Sequence, residues 1–338
     1  MGPGSAGLVV SHPGMCVRLV ASLGVSSLLF LGCANKVFVE GTAGSSGSVA
    51  SSSSSGAGGS VTPPLDLCSL RCTEPVAEGA LQNPEVTETS GLIASDLFDG
   101  IYYLHNDSGD GARFFATDLA GADLGTFTVA GAGAVDWEDA AAGPCGNGGS
   151  CLYWGDIGDN PESRPGITVY RVAEPTQVGL GADQVLEAEA FELVYEDGPH
   201  DAEAMVIDPS GPRIIVIIKD AVTGAVAYGS PVPLTEGSPM VLSPVADFEL
   251  PEGLKLITGA EAFGEDGILV RSYAGVFYYP RPVGGELLDA FGQPGCVLPR
   301  PIEMQGEAVA PLPLDEGGGF VTIAEGSGAA VNVVRCKP

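Results

Sequence analysis

Positive charge is scarce in this chain: 14 Lys and Arg stand against 43 Asp and Glu, a formal net charge of −29. A nucleic-acid binder needs a basic face to displace counterions from phosphate, so that class is excluded. No apolar run reaches the roughly 20 residues of a membrane-spanning helix. The C-terminal part shows no amphipathic helical period, and neither GxSxG nor a P-loop is present. Abundant instead are glycine (50) and proline (26), too many for a helical bundle, while 45% hydrophobic residues are too many for wholesale disorder.

The N-terminal segment carries an address. Arg18 precedes an apolar run from Leu19 to Leu31 that ends in Gly32-Cys33. The run suits a signal-peptide core, and Met15 is a better start of translation than Met1, because residues 1–14 resemble no signal region. Phe30, Leu31, Gly32 and Cys33 resemble a bacterial lipobox, which implies cleavage before Cys33 and lipidation of its sulfur. Ala34 is compatible with outer-membrane sorting in a Gram-negative cell. Gly41 to Ser60 is nearly all Gly, Ser and Ala, a composition that stays a flexible tether. The expected organisation is a signal peptide over 1–32, an anchor and tether over 33–63, and a head over 64–338. Extracytoplasmic placement on an outer membrane or cell surface follows, with the membrane as partner through the lipid.

Cysteine usage fits export. With Cys16 in the leader and Cys33 lipidated, Cys68, Cys72, Cys145, Cys151, Cys296 and Cys336 remain. An even number in an oxidising compartment points to disulfides. Cys145 and Cys151 flank a short Gly-rich loop and form the clearest pair. Cys336 has Cys68 or Cys72 within prospect, with Cys296 competing for the same partners.

The head reads as all-β. Short β-branched or aromatic runs such as Ile167–Val172, Arg213–Lys219 and Ala330–Arg335 are bounded by Gly, Pro, Asp or Asn. A motif of an acid followed by small and apolar residues recurs five times, at Glu88, Glu138, Glu203, Glu261 and Glu307, about every 55 residues. Each copy precedes a strand that ends in a polar cluster, and a third strand follows. The reading is a single β-propeller of four-stranded blades, five in number, with six as the alternative because the step from Glu138 to Glu203 is long. The last unit stops after its third strand, so its outer strand is expected from Thr73–Gln82, closing the ring. A two-sheet sandwich is the competing architecture.

The set HNDSGD, DWED, GDIGDN, VYRVAEP, DAEAM and GEAVA resembles a family of bacterial secreted β-propeller proteins. Those are similar in turn to phytase-like and SdiA-regulated propeller groups. The resemblance implies the fold more firmly than any activity.

In a propeller, first strands begin and second strands end at the same channel mouth. That collects Glu88, Glu138, Asp156, Glu203, Glu261 and Glu307 as candidate metal ligands. It also brings together Asn106, Asp107, Asp136, Trp137, Asp159, Asn160, Asp201, Lys219, Arg271 and Glu325 as candidate ligand-binding residues. Scarce His105, His200, Lys219 and Arg271 are the candidates for catalysis, and Trp154 flanks the same motifs. Hard oxygen ligands from several strands suit Ca²⁺, which takes six to eight of them. The equally simple role for each acid is to cap a turn. Two functions are carried: a binding module for a small anionic ligand or a surface partner, with a divalent cation, and a Ca²⁺-dependent phosphoesterase or lactonase-like hydrolase using His105 or His200 as base. A monomer without organic cofactor is expected.

Overall fold

The computed structural model describes residues 20–23, 26–29, 64–179, 181, 183–219, 225–251, 256–313 and 318–338. The chain divides into two compact units, Met1–Gly59 and Ser60–Pro338. In the first, β1 (Val20–Leu23) and β2 (Ser26–Leu29) pair antiparallel. Cys33, the lipobox and the Gly/Ser tract lie outside the described residues.

The second unit is all-β, with two short 3-10 turns, Leu67–Ser69 and Leu287–Gly292, and no α-helix among the described residues. It opens with β3 (Arg71–Cys72) and β4 (Val76–Ala80). Four antiparallel meanders follow. The first is β5 (Thr89–Ala94), β6 (Ile101–Asn106), β7 (Arg113–Asp118) and β8 (Thr126–Ala130). The second is β9 (Trp137–Pro144), β10 (Ser150–Asp156) and β11 (Ile167–Ala173), completed past β12 (Gln184–Glu187) by β13 (Glu189–Tyr195). The third is β14 (Ala202–Ile207), β15 (Ile214–Ile218), β16 (Ala225–Gly229) and β17 (Met240–Phe248). The fourth is β18 (Ile257–Phe263), β19 (Gly267–Ser272), β20 (Gly275–Pro280) and β21 (Cys296–Leu298). A fifth meander contains β22 (Gly306–Leu312), β23 (Gly319–Ala324) and β24 (Ala330–Lys337), and its outer strand is β4, from within the expected Thr73–Gln82; the parallel pair β13–β17 joins the second and third meanders edge to edge in one eight-stranded sheet. The long step between Glu138 and Glu203 is taken up by β12, which pairs parallel with β8.

The packing explains the sequence pattern. A strand buried on both faces needs apolar residues at every position, and β15 reads IIVII with all five residues buried. Its alternate side chains serve different neighbours: Ile215 and Ile217 join a core shared with β18–β20, whereas Ile214, Val216 and Ile218 join one shared with β9–β13. Each fully buried side chain of this kind contributes about 1.5–3 kcal/mol. Three further cores lie between the fifth and first meanders, the first and second, and the fourth and fifth. Every meander shares one core with the meander before it and one with the meander after it. This face-to-face succession is that of a β-propeller and excludes a two-sheet sandwich, which has a single core.

Three disulfides are formed: Cys68–Cys296, Cys72–Cys336 and Cys145–Cys151. The last joins the pair expected from the Gly-rich loop. The first two tie the N-terminal segment to the fourth and fifth meanders, and Cys72 is the strand partner of Cys336.

Candidate functional site at the acidic mouth

Three of the recurring acids share one backbone feature. Near the start of β9, β14 and β22 a single residue has no partner on the neighbouring strand. Glu138 falls between the pairs Trp137–Asp156 and Asp139–Gly155. Glu203 falls between Ala202–Ile218 and Ala204–Ile217, and Glu307 between Gly306–Ala324 and Ala308–Ile323. A β-bulge of this kind re-aims the side chain it carries. In β18 the same position is Thr258, and in β5 the bulge spans Ser90–Gly91. Thr258 donates its hydroxyl hydrogen to the Gly306 carbonyl at 3.0 Å, and Ser90 donates to the Glu138 carbonyl. Hydroxyls therefore stitch neighbouring first strands where the other three meanders present carboxylates.

The carboxylates converge with residues from the ends of second strands. One oxygen each of Asp107, Asp136 and Glu138 lies within 4.8 Å of the others, and the same holds for Asp107, Glu307 and Glu325. Asp107 is common to both triads. Lys219 donates to Glu203 and sits 5.6 Å from the centre of the Tyr273 ring. Tyr273 in turn donates its phenolic hydrogen to Glu307 Oε1 at 3.1 Å. Glu307 is 4% exposed, and its other oxygen, Oε2, is buried without a partner.

The electrostatic consequence is a set of carboxyls held above their ordinary range. Burial raises Glu138 and Glu307 first, and repulsion by neighbouring carboxylates adds to it. Asp136 moves up for the same two reasons, and burial raises Glu325 against a hydrogen bond with Glu307, with Asp107 and Glu88 adding to the rise. Glu203 is raised by burial, with the Lys219 ammonium opposing. Burial works to lower Lys219, but its bond to Glu203 more than offsets this and the net shift is upward.

The remaining expected site residues have other partners. Asn106 is fully engaged: its oxygen accepts from the Thr87 and Glu88 N–H groups, and its amide donates to the Glu85 carbonyl and to Asp110. Asp156 caps the turn before β9 through the Val135 and Asp136 N–H groups and pairs with Arg164 at 2.7 Å. Asp159 accepts from the Arg164 N–H, and Asp201 accepts from the Asp159 N–H. Glu88 and Asn160 are exposed. His105 is fully buried between Trp137 and Trp154, accepts from the Gly91 N–H and lies 2.8 Å from the Asn106 carbonyl. Burial lowers its pKa to about 4, and with both ring nitrogens engaged inside the core it does not face the mouth. Trp137 and Trp154 themselves belong to the core between the first and second meanders. His200 is bonded to Asp197 and Tyr228. Arg271 is buried, donating to Glu303 and to the Ala308 carbonyl. Glu261 lies three positions beyond the bulge. Its oxygens accept from the Ala262 and Ala142 N–H groups at 3.0 and 3.4 Å, and it lines a cavity at the opposite end of the first strands.

Residues that the sequence reading passed over complete the picture. Asp139, fully buried, accepts from the N–H groups of Ala140, Met205 and Ala260 and so joins β9, β14 and β18. Burial pushes its carboxyl up to about 8 against those bonds. Gly158 lies against the first triad: a Cβ there would sit 2.3 Å from Glu138 Oε1 and 2.5 Å from Asp136 Oδ2. In the sequence Gly158 stands inside GDIGDN, and Tyr273 lies two residues after Arg271.

No family model and no curated protein matches the chain. Among solved structures it is similar to the major allergen Mala s 1 of Malassezia sympodialis, with TM-score 0.46 and 8% identity over 78% of this chain and 96% of that one. It is also similar to a gluconolactonase from Xanthomonas campestris, with TM-score 0.39 and 11% identity over 81% and 97% of the two chains. A third likeness is to virginiamycin B lyase from Staphylococcus aureus, with TM-score 0.37 and 8% identity over 79% and 99%. At such identities no residue role passes to this chain.

Proposed function

We propose that the chain is a lipid-anchored extracytoplasmic protein whose head is a five-bladed propeller. Its acidic mouth binds a divalent cation, Ca²⁺ by the hardness of its oxygen ligands, and through that cation a small anionic ligand or a surface partner. The blade count is supported by five antiparallel meanders sharing five cores in succession, with β4 as the closing strand. The observation that carries the cation reading is Glu307 Oε2, buried and reached by no N–H or hydroxyl, in a triad with Asp107 and Glu325, a neighbouring carboxyl it can share only a proton with. An unpaired buried carboxylate oxygen is costly, and a bound cation would satisfy it while relieving the repulsion around Asp107. Lys219 at the edge supplies a positive charge for an anionic group beside the metal.

Calorimetric titration of Ca²⁺ and Mg²⁺ into chelator-stripped protein tests the site. Glu307→Gln should weaken Ca²⁺ roughly tenfold or more, the scale on which metal sites respond to lost support. Gly158→Ala should do so too, because its methyl would occupy the space between Glu138 and Asp136. Equal affinities in wild type and both variants would discard the site. Cys33→Ala should move the protein from the membrane to the soluble fraction; unchanged membrane fractionation would remove the anchor.

A hydrolase remains the second reading because Glu138 is a carboxyl held well above its ordinary range beside the metal triad, a property of general acids and bases. Chelator-sensitive turnover of phosphoesters or lactones that is lost in Glu138→Gln would favour it over the binding module.

A further inference from the structure

The far ends of the first strands enclose a second concavity, of about 640 Å³, at the pole away from the acidic mouth. Its lining comes from where β5, β9, β14, β18 and β22 finish: Ala94, Pro144, Pro209, Phe263 and Leu312 give it an apolar wall, and Glu261 is its buried acid. A volume of this size lies within the range of small-molecule sites, which are mostly apolar with a few placed polar groups.

We infer that this cup binds an organic ammonium with a compact apolar body, its N–H donors on Glu261 and its body against the proline, phenylalanine and leucine wall. Glu261 is 3% exposed, and each of its oxygens accepts only one backbone N–H, at 3.0 and 3.4 Å. A carboxylate oxygen accommodates about two donors, so one acceptor direction on each remains for a ligand. Among the described residues no Lys, Arg or His lines the cup, whereas Asp96 and Asp266 do. An anion would therefore meet three acidic side chains and no counter-charge, whereas a cation would favour the ionised form of Glu261, which burial and Asp139 hold well above the ordinary carboxyl range. None of the mouth carboxylates Asp107, Asp136, Glu138, Glu307 and Glu325 lines the cup, and Asp139, buried and bonded to three first strands, belongs to neither lining, so the two poles are separate sites. The inference does not rest on the cation at the mouth.

Three probes of one shape separate the possibilities: 1-adamantylammonium, 1-adamantanol and 1-adamantanecarboxylate, titrated into full-length protein saturated with Ca²⁺. The ammonium should bind at least tenfold more tightly than the alcohol, and the carboxylate should give no heat. Glu261→Gln should bring the ammonium down to the level of the alcohol. Pro209→Trp, which places a large ring in the cup from its rim, should abolish both. Glu307→Gln, at the other pole, should leave the ammonium unaffected. Equal binding of ammonium and alcohol, or loss of binding in Glu307→Gln, overturns the inference. Should Glu261→Gln fail to fold, Pro209→Trp decides alone: undiminished binding overturns it.

Discussion

Removing both long-range disulfides should unfold the head at room temperature, and removing either one should not. Cys68–Cys296 and Cys72–Cys336 span 228 and 264 residues. In the chain-entropy account, closing a loop of the longer span restricts the unfolded state by about 5–6 kcal/mol. Once one bond is in place, the other closes an effective loop of only about 40 residues, made of the two short stretches between the paired cysteines, and adds about 4 kcal/mol. Each single removal should therefore cost at most about 4 kcal/mol, and the double removal about 9, against a typical net stability of 5–15. The structural loss is concentrated at ring closure. Without Cys72–Cys336, the β3–β24 pairing loses its covalent tie, and β4 is free to leave β24 as an open edge. Urea melts of the Cys72→Ser/Cys336→Ser pair, the Cys68→Ser/Cys296→Ser pair and the quadruple variant measure this. Losses that merely add, or a quadruple variant as stable as a double one, would contradict it. The Cys145→Ser/Cys151→Ser pair, closing a loop of 6 residues, is the internal control at about 2 kcal/mol.

Much of the architecture was readable because a propeller repeats one local instruction. Strands such as Ile214–Ile218 announce themselves by unbroken apolar character, and the missing fourth strand of the last unit pointed to an N-terminal donor, found at Val76–Ala80. The site was readable only where spacing and backbone register coincide. Glu138, Glu203 and Glu307 lie on bulges, and a bulge has no sequence mark beyond its neighbours. Glu261 looks like a fourth member in the sequence yet sits three residues past the bulge, where Thr258 stands. Glu88 precedes its strand and is exposed. Scarcity also misled: Arg271 and His105 are rare residue types placed beside the right motifs, but each is consumed by packing and backbone bonds. Tyr273, Gly158 and Asp139 act through what they touch, which no single-chain pattern encodes.

The metal-free head should lose stability as pH rises from about 5 to 8, and Ca²⁺ should remove the part of that loss that Glu307 causes. The sign follows from the direction of the carboxyl shifts. Glu307 ordinarily ionises near 4.5 and is held up to about 8 in the fold, first by burial and then by Glu325, Glu203 and Asp107. Between those values the unfolded chain has released its proton and the native chain keeps it, so unfolding is favoured increasingly with pH. The slope from one such group is at most about 1.4 kcal/mol per pH unit. Asp139, raised from 3.8 to about 8 by burial, adds a contribution of the same sign. A divalent cation at the mouth makes the ionised form of Glu307 the stable one, so its contribution vanishes, whereas that of Asp139 persists. The stabilisation by Ca²⁺ should therefore grow with pH. At 100-fold excess over the dissociation constant it amounts to about 2.7 kcal/mol, or about 5–10 °C in Tm for a domain of this size. Glu307→Gln should make the metal-free pH dependence shallower, leaving the Asp139 contribution, and should abolish the Ca²⁺ shift. Thermal melts from pH 5 to 8.5 in Ca²⁺ and in chelator give the comparison. A Ca²⁺ shift of equal size at both ends of that range, or a chelator curve flat in pH, would show that these carboxyls are turn caps rather than ligands.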